Sequence, residues 1–167
     1  TGEYVTLDEL LDEIKKKAGS KERARDVVRF FFLTRNYGNH LNFDLDLARE
    51  QSEKNPVYYV QYAYARIRSI LNKMHATPQN FKISAKDLKL LAHQSEYALI
   101  KQLMRFPEVI EDAAKDYQVQ RLPQYATDLA TSFHQFYRDC KVIINDRKLS
   151  QARLGLLFAT KITLENA

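Results

Sequence analysis

The sequence predicts an all-α protein: a helical bundle preceded by a short N-terminal helical hairpin. Three observations carry this. Only four glycines and four prolines occur in 167 residues, too few for a turn-rich sheet protein. Apolar residues recur at helical spacing almost throughout. No stretch reads convincingly as a strand, and there is no repeat or low-complexity tract. Hydrophobic content of 45% and charged content of 28% belong to an ordered globular chain, long enough to bury a sizeable core.

The elements follow in order. Thr6 and Glu9 form a capping-box pattern ahead of "LDELLDEIKKK", whose acids come early and lysines late, as the helix dipole favours. Gly19-Ser20 ends that helix and caps the next, "KERARDVVRFFFLTR". Residues 36–42 read as a loop, and Asp44 to about Lys54 as a helix. Asn55-Pro56 interrupts, with proline suited to the first position of a new helix running to about Met74. Residues 75–84 form a connector. Further helices are predicted at about 85–105, 107–117, 121–142 and 149–165. The chain divides into 1–43, holding the hairpin, and 44–167, holding the bundle.

The segment "NPVYYVQYAYARIRSIL" (55–71) carries four tyrosines beside two arginines. At 100° per residue, Val57, Val60, Ala63, Tyr64, Ile67, Ile70, Leu71 and Met74 share the core face. Tyr58, Tyr62, Arg66, Ser69 and Lys73 share another, with Tyr59 at its edge. That second face is an aromatic-basic stripe, able to stack unpaired bases while arginine pairs a phosphate. The alternative is that a neighbouring helix covers the tyrosines. Packing is the preferred reading for Tyr58 and Tyr59, binding for Tyr62 with Arg66. In the helix at 121–142, Leu122, Tyr125, Leu129, Phe133, Phe136 and Cys140 form a core face. Ala130, His134, Tyr137 and Lys141 border it, as a second wall of the same site.

The net charge of +5 is unevenly spread. Residues 1–56 are net −1, 57–106 net +6, 107–120 net −3 and 121–167 net +3. The excess begins at the tyrosine segment, which suits a polyanion such as nucleic acid, or a merely solvated basic face. One cysteine, Cys140, allows no intrachain disulfide and fits a reducing compartment. No apolar run approaches a membrane span. No phosphate-binding glycine loop and no metal-ligand spacing among His40, His75, His93, His134 and Cys140 is present. Glu108, Glu111 and Asp112 suit a solvated helix start better than acid–base catalysis. No catalytic constellation is legible.

The segments "TGEYVTLDELLDEI", "VVRFFFLTR", "HLNFDLDLAREQSEKNPVYYVQYAYARIRSI", "FPEVIEDAA" and "LPQYATDLATSFHQFYRDCKVI" together resemble the C-terminal part of arginyl-tRNA synthetases. "ARL" at 152–154 stands where that family's DALR-type anticodon-binding domain has its signature. The resemblance covers nearly the whole chain. It implies the helical anticodon-binding domain of a class I aminoacyl-tRNA synthetase, an enzyme that charges its tRNA with arginine using ATP. The family's HIGH-type and KMSKS-type motifs are absent, and Thr1 falls just after the position of the latter. A fragment is therefore expected, inactive alone, with no cofactor of its own, gripping the anticodon arm.

By family position Tyr62 and Arg66 match anticodon-loop contacts, and Tyr137 and Lys141 a second pair. Lysine replaces an aromatic at 141, which leaves it a phosphate contact. The expected tRNA-binding set is thus Tyr62, Arg66, Tyr137, Lys141, Tyr58, Lys73 and His134. The expected setting is cytoplasmic, with no DNA or membrane partner; the oligomeric state is left open by the sequence, with a monomer as the default expectation. Two departures stand out: "KKKAGSKERARD" (15–26) is longer and more basic than usual, and the last helix normally continues past "TLENA". A freestanding helical module using the tyrosines as protein-interface anchors is the rival expectation.

Overall fold

The computed structural model describes residues 5–36, 38–39, 42–77 and 83–167. Parts of the two expected connectors, His40 among them, lie outside these. Among the described residues the chain is helical without strands. Helices α1 (Leu7–Ala18) and α2 (Lys21–Leu33) form the N-terminal hairpin. The Thr6–Glu9 capping box is formed on both sides, and hydrogen bonds from Thr6 hold the Glu9 carboxyl below its usual range. Gly19 closes α1 at φ 82°, a left-handed position that glycine adopts without Cβ strain. Ser20 then caps α2, accepting from Arg23 N–H at 3.2 Å.

The helix expected to run to about Lys54 is instead one short turn, α3 (Leu45–Arg49), capped by Asp44. The cause is Asn55, only 3% exposed. Its amide donates to the carbonyls of Glu50 at 2.9 Å and Ala48 at 3.2 Å. Its side-chain oxygen accepts from Val57 N–H at 3.0 Å and Tyr58 N–H at 3.4 Å. One side chain therefore satisfies the carbonyls leaving α3 and the amides opening α4 (Pro56–Lys73). Asn55→Ala should cost about 2–3 kcal/mol in urea denaturation, since a buried cap and two acceptors lose their partner. Asn55→Asp, which keeps the acceptor and loses the donor, should recover part of it.

The single helix expected over 85–105 is two: α5 (Ala85–Leu88) and α6 (Gln94–Met104). The Glu96 side chain folds back to accept from the Ala92 and His93 amides, each at 2.8 Å, so the chain turns there instead of continuing as helix. Then come α7 (Phe106–Asp116), α8 (Arg121–Asp139) and α9 (Arg147–Asn166), the last capped by Asp146. Helix α8 lies at the centre of the bundle, against α4, α6, α7 and α9. The main core is built around Ile67, Leu99, Leu129, Phe133, Phe136 and Leu157, all fully enclosed. A second cluster joins the hairpin to α3 and to Val57 at the start of α4. Thus α3, grouped by sequence with the bundle, packs on the hairpin.

Four face assignments change. Met74 lies past the end of α4 and is 41% exposed. Tyr64 is half-buried at the α4–α9 seam, donating its hydroxyl to the Glu165 carboxylate. Ala130, assigned to a border, is fully buried, while Leu122 is only half-buried. Tyr125 is core as expected. Its hydroxyl donates to the Gln102 carbonyl at 2.9 Å, and burial pushes its pKa up to about 12.

Candidate nucleic-acid interface

The α4–α8 packing brings two separated sequence segments onto one surface. Arg66 is the hinge of this arrangement. Its guanidinium carbon lies 4.9 Å from the Tyr62 ring centroid and 4.8 Å from that of Tyr137. It also donates to the Tyr62 hydroxyl. The Tyr137 hydroxyl, then that of Tyr62, raise the arginine above its ordinary range. Two aromatic faces on one guanidinium fix a side chain that is otherwise long and mobile.

The ring ladder extends to both sides. Tyr58 stacks on Tyr62 with centroids 6.2 Å apart and planes within 12°. His134 stacks on the Tyr62 ring at 5.7 Å and tilts against Tyr59 at 4.6 Å. Phe133 backs Tyr137 from the core at 6.0 Å. Tyr62 and Tyr137 remain 38% and 36% exposed, so aromatic surface beside a fixed cation faces solvent. Such a surface can stack an unpaired base and neutralise a phosphate beside it.

The expected residues divide accordingly. Tyr62, Arg66, His134 and Tyr137 come together, with Tyr58 joined through Tyr62. Tyr58 and Tyr59 are half-buried, in keeping with a packing role. Lys141 does not continue the border of α8. The helix ends at Asp139, Cys140 turns extended, and the exposed Lys141 lies beside Ile143 to Asp146. Its carbonyl accepts from Arg153 at 2.8 Å. Lys73 is exposed about two turns beyond Arg66 on α4, roughly 10 Å along the axis. It borders a shallow depression with Arg68 and Asn72.

His134 adds a pH dependence. Burial, first of all, lowers its pKa from 6.5, opposed by its contact with the Tyr59 carbonyl at 3.5 Å and by Glu53. Arg66 and Arg138 add to the lowering. The unfolded chain then binds the proton more readily than the folded one. Stability is full above the unfolded value and falls as pH drops below it. Urea midpoints measured across that range should decline towards acid, and His134→Gln should flatten the decline.

Sequence reasoning passed over a neighbouring cleft of about 680 Å³ between the hairpin and α4. Arg23 and Asp26 of α2 face Tyr58, Gln61 and Tyr62 of α4 across it. Arg49 at its edge pairs with Glu13, and Gln51 donates to the Lys17 carbonyl at 2.6 Å, tying α1 to the approach to α4. No local pattern marks this cleft, because its walls lie far apart in sequence. Among the described residues no cluster of potential metal ligands occurs, and no helix is long and apolar enough to cross a membrane. Cys140 is buried, with its sulfur 3.5 Å from the Ser95 hydroxyl.

Residues 60–167 match the DALR anticodon binding domain family, covering all of α4 from its second turn onward and the whole bundle. The arginine–tRNA ligase of Salinibacter ruber is 46% identical over 163 residues, which are 98% of this chain and 27% of that protein. That of Heliobacterium modesticaldum is 44% identical over 99% of this chain and 29% of that protein. The chain therefore spans somewhat over a quarter of the length of these relatives. The Thermus thermophilus arginyl-tRNA synthetase superposes on 96% of the chain with a TM-score of 0.78 at 29% identity, using 30% of its own length. The bundle, its aromatic-basic surface and these likenesses agree: the chain belongs to the DALR anticodon-binding family, in the form found in arginine–tRNA ligases.

Proposed function

We propose that the chain holds the anticodon arm of an arginine-accepting tRNA, as the recognition part of an arginine–tRNA ligase. The observation that carries this is the Arg66 guanidinium fixed between the rings of Tyr62 and Tyr137. A splayed loop base packs against the exposed tyrosine surface, while Arg66 meets the adjoining phosphate. Lysines and arginines of the basic segments 57–106 and 121–161, Lys73 and Lys141 among them, neutralise the rest of the backbone. The hairpin unit ahead of the bundle belongs to this organisation. In the longer enzyme, ATP and arginine are handled outside this chain, and grip on the anticodon arm orients the acceptor end. We infer a cytoplasmic setting, a monomer, and RNA in preference to DNA.

Titration of the chain with cognate and non-cognate tRNA at two salt concentrations tests this. Affinity should fall steeply with salt, and the cognate species should bind more tightly. Binding that ignores salt and tRNA identity would instead favour a protein-interaction surface.

A further inference from the structure

We propose that the cleft between α2 and α4 is a second base-binding subsite, which makes the N-terminal hairpin part of the RNA interface. This rests on the anticodon reading above and extends it to a surface outside the matched residues 60–167. The cleft's 680 Å³ lies within the range of small-ligand sites. One wall is aromatic: the near-parallel rings of Tyr58 and Tyr62. On the opposite side α2 contributes Arg23 and Asp26 beside Val27.

The polar groups of the cleft are unequally committed. Arg49 is engaged by Glu13, and Arg68 lies over Tyr64 with 5.9 Å to the ring centroid. Among the described residues, by contrast, the Arg23 guanidinium, the Asp26 carboxylate, the Gln61 amide and the Tyr58 hydroxyl have no side-chain partner. An aromatic wall with unspent donors and acceptors around it suits a nucleobase, packed against the rings and read along its edge.

Continuity with the Arg66 cluster favours a nucleotide of the same RNA over a separate small molecule. Tyr62 belongs to both places: it lines the cleft and also lies against Arg66 and His134. A loop with one base held at Arg66 and Tyr137 can pass its neighbour over Tyr62 into the cleft. Arg23 then supplies a donor or a phosphate contact from the hairpin.

The test uses the whole chain and a stem–loop RNA with the anticodon-arm sequence of an arginine-accepting tRNA. A fluorescent purine analogue replaces one loop position at a time. Arg23→Ala removes the donor and Ala65→Trp fills the cleft; both positions are exposed, and circular dichroism checks that the fold persists. One loop position should lose its quenching in both variants, with affinity about tenfold weaker, while a neighbouring position stays quenched. Wild-type quenching and affinity in both variants, alongside lost affinity in Arg66→Ala, would overturn the subsite and leave the anticodon reading standing. Failure of the unaltered chain to bind any loop at low salt would sink both.

Discussion

Arg66→Ala should weaken anticodon stem–loop binding by roughly 30–100-fold, about 2–3 kcal/mol. The variant loses a cation and also the one group that contacts both tyrosine rings. Base stacking and cation–aromatic contacts each contribute on the order of 1–3 kcal/mol when desolvated. Arg66→Lys should recover little, because an ammonium lacks the planar fork that meets both rings and their hydroxyls at once. Tyr62→Ala should fall in between, since Tyr137 still holds one face of the arginine. In a longer arginine–tRNA ligase carrying this domain, kcat/KM for tRNA should drop while arginine and ATP binding persist. An equal loss of arginine activation in Arg66→Ala and Tyr62→Ala, with both folds intact, would count against the site.

The largest stability effect is expected far from that surface, at Arg153. Its guanidinium pairs with Glu96 at 2.7 Å, and the two side chains are only 12% and 1% exposed. Glu96 in turn accepts the Ala92 and His93 amides, and Arg153 also donates to the Lys141 carbonyl. Arg153 thus ties the start of α6 to the turn after α8 from its place on α9. Arg153→Ala leaves a carboxylate buried without its cation and should cost about 3–5 kcal/mol in urea denaturation. The pair itself need not be net stabilising, because desolvation offsets much of its attraction. Glu96→Gln combined with Arg153→Met should therefore lose far less than Arg153→Ala alone, the glutamine still accepting the two amides. Comparable losses in the single and double variants would show that the burial of charge is not the cause.

The helices legible in the sequence are those with local stop and start signals. Thr6, Gly19, Ser20, Pro56 and Asp146 each act within a few residues of themselves, so their effects can be read from spacing. Two of the misplaced ends come from a buried polar side chain that bonds backbone ahead of its own helix. Asn55 reaches back to Ala48 and Glu50 and shortens α3. Glu96, fixed by Arg153 from 57 residues away, breaks 85–105 into two helices. A separate case is Cys140, which turns extended inside the helix expected over 121–142, and so Lys141 leaves the α8 border.

The candidate site shows the same division. Helical periodicity alone separated Tyr62 and Arg66 from the core face of α4 and aligned His134 with Tyr137 on α8. The sequence also marked the all-α class, the basic excess after residue 56 and the family resemblance, because each is a property of local order and composition. Only the tertiary structure decided that the two stripes meet across Arg66, that Tyr64 sits at a seam beside Glu165, and that α2 and α4 enclose a cleft. Those facts depend on how helices pack, and packing is fixed by long-range burial and by paired polar groups such as Glu96 and Arg153. No single segment encodes them.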